Sequence, residues 1–320
     1  MFDNILLLIM GMFLLIKGAD WFVGGASAIA KALKIPSLII GLTLVSLGTS
    51  LPEASVSIQS SLNGSSALSL GNVVGSNIVN TLLILGLCAL FVPITIDKDM
   101  KKFDIPIMLG LYVIILLFCF VITPDVISRW QGIVLVVLFI TYMTFLVLRA
   151  KKNAVKTIED VEQEKKEEEN KKPLWLNILL ALLGLGAVVL GGDLVVDKAS
   201  FIAIELGMSE SLVGLTIVAL GTSLPELVTS IVASIKKEND IAVGNVIGSN
   251  IFNVVFILGT SAVISPFALA SGALVDMLVL LGSAIILMAI SFMGKSIKRW
   301  QGAVMFLAYA GYLAYIIVRG

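Results

Sequence analysis

The stretch Gly41-Leu42-Thr43-Leu44-Val45-Ser46-Leu47-Gly48-Thr49-Ser50-Leu51-Pro52-Glu53 returns 173 positions later as Gly214-Leu215-Thr216-Ile217-Val218-Ala219-Leu220-Gly221-Thr222-Ser223-Leu224-Pro225-Glu226, with eleven of 13 residues identical. A second stretch, Gly71-Asn72-Val73-Val74-Gly75-Ser76-Asn77-Ile78-Val79-Asn80, returns at the same offset as Gly244-Asn245-Val246-Ile247-Gly248-Ser249-Asn250-Ile251-Phe252-Asn253, with eight of ten identical. Asp20 and Asp193 also align at 173, and Arg129-Trp130-Gln131-Gly132 recurs as Arg299-Trp300-Gln301-Gly302 at 170. The chain is therefore read as two related halves. Their identity is concentrated in polar and small residues.

Those polar motifs sit in a very apolar chain. Of 320 residues, 58 % are hydrophobic and 14 % charged, and the mean hydropathy is +1.05. An ordinary soluble domain carries about 25 % charged residues. This composition argues against a soluble enzyme and excludes a disordered chain; it fits a polytopic membrane protein. Lys plus Arg equals Asp plus Glu at 22 each, which gives no reason to expect a nucleic-acid partner. The sequence has no histidine, so Ser–His and Cys–His catalytic sites are impossible and the commonest metal ligand is missing. Cys88 and Cys119 lie in apolar runs and read as small core hydrophobes.

A membrane helix needs about 20 mostly apolar residues. Ten such segments are expected, near 3–25, 38–62, 70–92, 104–123, 130–149, 174–197, 212–235, 242–265, 272–293 and 300–318. The fold class is thus all-α and polytopic, with a first five-helix repeat at 1–149, a charged loop at 150–173 and a second five-helix repeat at 174–320. The N-terminal Met1-Phe2-Asp3-Asn4 lacks the basic region of a signal peptide, so the first segment is expected to be retained. The loop, rich in Lys and Glu, reads as a solvated linker with some helical support from nearby Glu/Lys pairs; a small regulatory segment is the alternative. With the N-terminus outside, inside loops hold 18 basic residues and outside loops 3, with Lys17 inside the first span. The positive-inside rule then puts both termini outside and the charged loop in the cytoplasm.

Five spans per half is an odd number, so the second half enters the membrane from the opposite side. The repeats are inverted, an arrangement that transporters use to build a midplane site. Glu53 and Glu226 lie near the middle of spans 2 and 7, where a charge costs about 2.5–3.5 kcal/mol on insertion scales. Neither span offers a Lys or Arg at that depth. Pro52 and Pro225 precede them and break helical hydrogen bonding. Carbonyls around Ser46–Thr49 and Ala219–Thr222 are therefore expected to be freed in mid-membrane, which is tolerated only where they line a cavity or are buried in protein. These carbonyls, the hydroxyls of Thr49, Ser50, Thr222 and Ser223, and the two carboxylates form an all-oxygen set suited to hard cations such as Ca²⁺ and Na⁺. Spans 3 and 8 add Ser76, Asn80, Ser249 and Asn253 on shared helix faces. Gly71, Gly75, Gly244 and Gly248 make small-residue faces for close helix contact. Asn72 and Asn245 read as helix-end or packing residues, and Asp20 and Asp193 as interfacial or capping groups.

The paired Gly-Thr-Ser-Leu-Pro-Glu and Gly-Asn-Val-x-Gly-Ser-Asn-Ile motifs resemble the α-repeats of the cation/Ca²⁺ exchanger superfamily, in particular the prokaryotic sodium/calcium exchangers. The resemblance covers nearly the whole chain. It implies that Glu53 and Glu226 bind Ca²⁺ and share Na⁺. Thr49, Ser50, Thr222, Ser223, Ser76, Ser249 and the carbonyls of Ser46 and Ala219 would complete the ion sites, with Asn80 and Asn253 at the matching polar positions. Asn253 stands where K⁺-dependent relatives carry Asp, which argues against K⁺ coupling. Gly75 and Gly248 stand where the Ca²⁺/H⁺ branch has an acid. The central loop is too short for the regulatory domains of animal exchangers. The implied function is electrogenic Na⁺/Ca²⁺ antiport with spans 1 and 6 sliding across a rigid bundle. Ca²⁺/H⁺ or other cation antiport and a passive cation channel are the alternatives. No cofactor is expected, Ca²⁺ and Na⁺ are substrates, the location is the plasma membrane, and a monomer suffices. A membrane protease is disfavoured because Ser50 and Ser223 have no His or nearby Lys.

Overall fold

The computed structural model describes residues 2–64, 67–124, 126–160, 173–208, 217, 219–269 and 272–319. Its elements are α1 (Phe2–Leu33), α2 (Ser37–Thr49), α3 (Leu51–Leu62), α4 (Leu68–Phe91), β1 (Ile94–Thr95), α5 (Met100–Ile122), β2 (Val126–Ile127) and α6 (Arg129–Asp160) in the first half. The second half holds α7 (Leu174–Glu205), α8 (Leu224–Ile235), α9 (Asn239–Ile264), β3 (Phe267–Ala268), α10 (Ala273–Met293), β4 (Ser296–Ile297) and α11 (Arg299–Arg319). A short helical turn, Ala219–Gly221, precedes α8.

Eight of these helices are long and apolar enough to span a bilayer, and α2 with α3 forms a ninth, bent by 49°. Ten spans are therefore not complete among the described residues. The expected seventh is represented by α8 and the turn before it, while 209–216 and 218 lie outside the described residues. The bend has the cause read from the sequence. Ser50 leaves helical geometry at φ −83°, ψ 8°, and Pro52 enters the first turn of α3 without an N–H to give. Ser223 does the same at φ −89°, ψ 6°, ahead of Pro225 in α8.

The all-helical class holds, apart from two ladders of two residues per strand. Ile94 pairs with Ile297 in β1·β4, and Ile127 with Phe267 in β2·β3, both antiparallel. Each ladder joins one half to the other. The Arg-Trp-Gln-Gly repeat is explained at the same places. Gln131 accepts from the Ser128 N–H and Gln301 from the Lys298 N–H, each at 2.8 Å, so both start a helix. Arg129 donates to the Val263 carbonyl at 2.9 Å and Arg299 to that of Phe91 at 3.3 Å, each in the opposite half.

The helices α4 and α9 are buried on almost every side, whereas α1, α5, α6, α7, α10 and α11 keep apolar outer faces. Exposed side chains such as Ile9, Phe13, Trp175 and Leu182 belong against lipid tails, not water. α1 and α7 run antiparallel and pack along their length through glycines. A Cβ on Gly18 would lie 2.7 Å from the Val188 nitrogen, and one on Gly184 only 2.5 Å from the Phe22 nitrogen. α6 continues to Asp160, so the expected boundary at 149 falls inside a helix; the rest of the expected loop, 161–172, lies outside the described residues.

Candidate functional site

Glu53 and Glu226 are each the third residue of a helix that starts at a proline break, and both are fully buried. The breaks bring the two motifs together across the halves. Ser223 donates to Glu53 Oε1 at 3.2 Å. Ser50 lies 2.9 Å from both Glu226 Oε1 and Ser249 Oγ, and its one proton serves one acceptor at a time. Ser249 Oγ in turn lies 3.5 Å from Glu226 Oε1 and 3.4 Å from the Ser46 carbonyl. Neither glutamate forms an ion pair among the described residues.

Other members of the expected set are buried with spare bonding capacity. Glu53 Oε2, Glu226 Oε2, Ser76 Oγ, Thr222 Oγ1, Asn253 Oδ1 and both side-chain heteroatoms of Asn80 are buried without a hydrogen-bond partner among the described residues. Buried polar atoms are normally satisfied, and each exception asks for an explanation. Six of these seven atoms are oxygens that can face a hard cation. Asn80 and Asn253, equivalent in the repeat, both stand where the α-helix widens into a π-helical turn, at Val79–Ile84 and Asn253–Leu258. Such turns recur at functional sites because they re-aim side chains.

Some expectations need adjustment. The Ser46 carbonyl is not free: it accepts from the Ser50 N–H at 3.1 Å, because the helix persists for one more turn before it breaks, and its second lone pair faces Ser249. The Thr49 hydroxyl is taken by Asn245 Oδ1 at 3.0 Å and the Val45 carbonyl at 3.2 Å. Ala219 opens the turn before Thr222. Asp20 and Asp193 cap nothing; both lie within long helices, Asp20 paired with Lys236 at 2.7 Å and Asp193 facing a cavity. Gly244 and Gly248 do allow close contact, since a Cβ on Gly248 would sit 2.6 Å from Ser46 Oγ; Gly71 and Gly75 have nothing within 4 Å.

Sequence reading undervalued Asn72 and Asn245. Asn72 donates to the Glu53 carbonyl at 3.3 Å and to Ser57 at 2.9 Å; Asn245 donates to the Glu226 carbonyl at 3.5 Å and to Ser230 at 3.0 Å. Each fixes the helix that carries its glutamate. The signal was the shared offset of 173 at both asparagines and both serines. A cavity of about 640 Å³ reaches the motifs, lined by Pro52, Ser55, Asp193, Ser200 and Thr222 among others.

The sodium/calcium exchanger protein family matches residues 4–148 and 176–318. The inner membrane protein YrbG of Escherichia coli is 41 % identical over 81 % of this chain and 79 % of its own. The sodium/calcium exchanger MaX1 of Methanosarcina acetivorans is 35 % identical over 97 % of both chains. A solved structure of the sodium-calcium exchanger NCX_Mj superposes with a TM-score of 0.82 at 33 % identity, covering 98 % of each chain.

Proposed function

The chain belongs to the sodium/calcium exchanger protein family, and from that premise we propose that it exchanges Na⁺ for Ca²⁺ across the plasma membrane by alternating access, electrogenically and without K⁺. One observation carries the reading. Two buried carboxylates from opposite halves each accept a hydrogen bond from the motif serine of the other half, and among the described residues they have no cationic partner and keep one oxygen each unpartnered.

The ion sites are Glu53 and Glu226 with Thr49, Ser50, Ser76, Asn80, Thr222, Ser223, Ser249 and Asn253, and the carbonyls of Ser46 and Ala219. Two carboxylates carry −2, which matches one Ca²⁺ or two of three Na⁺. Both cargoes need the same two groups, so they compete. Exchange of three Na⁺ for one Ca²⁺ moves one net charge, and the membrane potential then contributes about 2.3 kcal/mol per 100 mV. The two five-helix repeats are inverted, which the antiparallel α1–α7 pair and the cross-half ladders support. The sliding elements are α1 and α7. Both termini face outside and the 150–173 segment faces the cytoplasm, as the basic residues require.

The test is ⁴⁵Ca²⁺ uptake into proteoliposomes loaded with Na⁺, K⁺ or acid in separate experiments, with the potential clamped. Uptake driven by the Na⁺ gradient alone, and increased by an inside-positive potential, is the expected result. Uptake driven by a pH gradient without Na⁺ would replace the reading with Ca²⁺/H⁺ exchange, and flux without any counter-ion would replace it with a channel.

A further inference from the structure

Where the first turn of α5 meets α6 at its residues 145–152, a cavity of about 510 Å³ is lined by Lys102, Arg149 and Lys152 together with Asp99, Phe103 and Leu148. Its floor is rigid. Asp104, fully buried, accepts from Arg149 Nη1 at 2.8 and 3.1 Å and from the Tyr142 hydroxyl at 3.2 Å. Arg149 Nη2 lies 3.4 Å from Asp99, and its side chain is only 8 % exposed. Its Nε is buried without a partner. Above this floor, Lys102 and Lys152 are exposed and form no ion pair among the described residues. Lys102 Nζ sits 5.2 Å from the centre of the Phe103 ring, and Leu148 presents an apolar surface beside it. Arg149 is taken up by Asp104 and Asp99, so the cations the lining leaves unpaired among the described residues are Lys102 and Lys152, next to an apolar wall.

The other half shows that the floor alone does not need the lysines. There Asp276 accepts from Arg319 at 2.9 and 3.1 Å and from the Tyr312 hydroxyl at 3.1 Å, the same triad at offsets of 172 and 170. At the position equivalent to Lys102 stands Leu274, which is exposed. The triad ties two helices in each half; the lysine at position 102 belongs to one half only.

We propose that this cavity binds the headgroup of an anionic phospholipid, with Lys102 and Lys152 on the phosphate and the acyl chains along the Leu148 face. The positive-inside reading places it in the cytoplasmic leaflet, where anionic lipids attract basic residues. Binding is independent of which ions are transported, so it survives or fails apart from the exchange reaction.

Native mass spectrometry of the detergent-solubilised full chain, titrated with phosphatidylglycerol or phosphatidylcholine, tests it. Phosphatidylglycerol is expected to be retained more tightly. Lys102→Gln and Lys152→Gln should each weaken that retention about fivefold and together about 25-fold, at roughly one surface-cation contribution apiece. Lys98→Gln, exposed and outside the cavity, should leave it unchanged. Equal retention of the two lipids, unchanged retention in the double variant, or displacement of the lipid by millimolar inorganic phosphate would each overturn the proposal. The lysines are exposed, so an unchanged melting curve by tryptophan fluorescence accompanies the comparison.

Discussion

The two glutamates hold equivalent places in the repeat and meet different surroundings. Glu226 Oε1 has Ser50 at 2.9 Å and Ser249 at 3.5 Å. Among the described residues, Glu53 Oε1 has only Ser223, at 3.2 Å, and Ser76, the counterpart of Ser249, leaves its hydroxyl unpartnered. The helices beside them differ in the same sense. Asp20 on α1 is held by Lys236, and Ser27 donates to Glu238 at 2.6 Å, so α1 is pinned to the turn between α8 and α9. Asp193 on α7, the counterpart of Asp20, lines the cavity that reaches Pro52 and Thr222. Nearly identical motifs therefore sit in one tight and one loose environment. In the proposed cycle this difference marks one of two end states, and transport consists of the halves exchanging environments.

The comparison can be broken most severely at the carboxylates. Glu53→Gln and Glu226→Gln should each reduce Na⁺-driven Ca²⁺ uptake to background, because in the proposed site the halves contribute one charge each to a single ion; normal uptake in either variant would remove that glutamate from the site. Next, the serines should rank. Ser50→Ala removes a donor to a buried carboxylate, about 1.5–3 kcal/mol, and should raise the half-saturating Ca²⁺ concentration by about tenfold or more. Ser223→Ala, at the longer contact, should raise it less, and a reversed order in an uptake titration would deny the asymmetry. The α1–α7 seam offers a smaller test. Gly184→Ala drives a Cβ to 2.5 Å from the Phe22 nitrogen, while in its counterpart Gly11 the nearest atom is at 3.1 Å. Overpacking at Gly184 should cost about 1–3 kcal/mol, more than Gly11→Ala, whereas Gly186→Ala, with nothing within 4 Å, should be near neutral. Thermal unfolding in detergent ranks the three. The smallest effect belongs to Lys236→Gln: the pair with Asp20 is about a third to a half exposed, so its loss should lower stability by less than about 1 kcal/mol. Its use is to show, by solvent accessibility of a cysteine placed on α1, whether the pin sets the end state.

Much of this arrangement was readable along the chain. The spans, the repeat and the buried glutamates each leave a local mark: an apolar run, an offset of 173, a charge where lipid composition forbids one. The proline breaks at Pro52 and Pro225 are local as well, and the bend of 49° falls where they put it. What was not readable had partners far apart. Asn72 and Asn245 look like packing residues until the structure shows each bonded to the carbonyl of a glutamate 19 residues away. The Asp104–Tyr142–Arg149 and Asp276–Tyr312–Arg319 triads join residues 38 to 45 positions apart in one half and 36 to 43 in the other, across two helices. Two helical turns connect each Tyr to its Arg, but no helical period connects either to the Asp.

Sequence alone determined that this is a membrane chain of two related halves with one carboxylate in each core, because the bilayer acts on every span through its composition, residue by residue. The tertiary structure decided which serine faces which glutamate, and that it is the serine of the opposite half. It also decided that two nearly identical motifs differ in environment. Those outcomes depend on how segments about 170 residues apart are packed against each other, and a repeat can specify the same residues twice without specifying that both copies are in the same state at once.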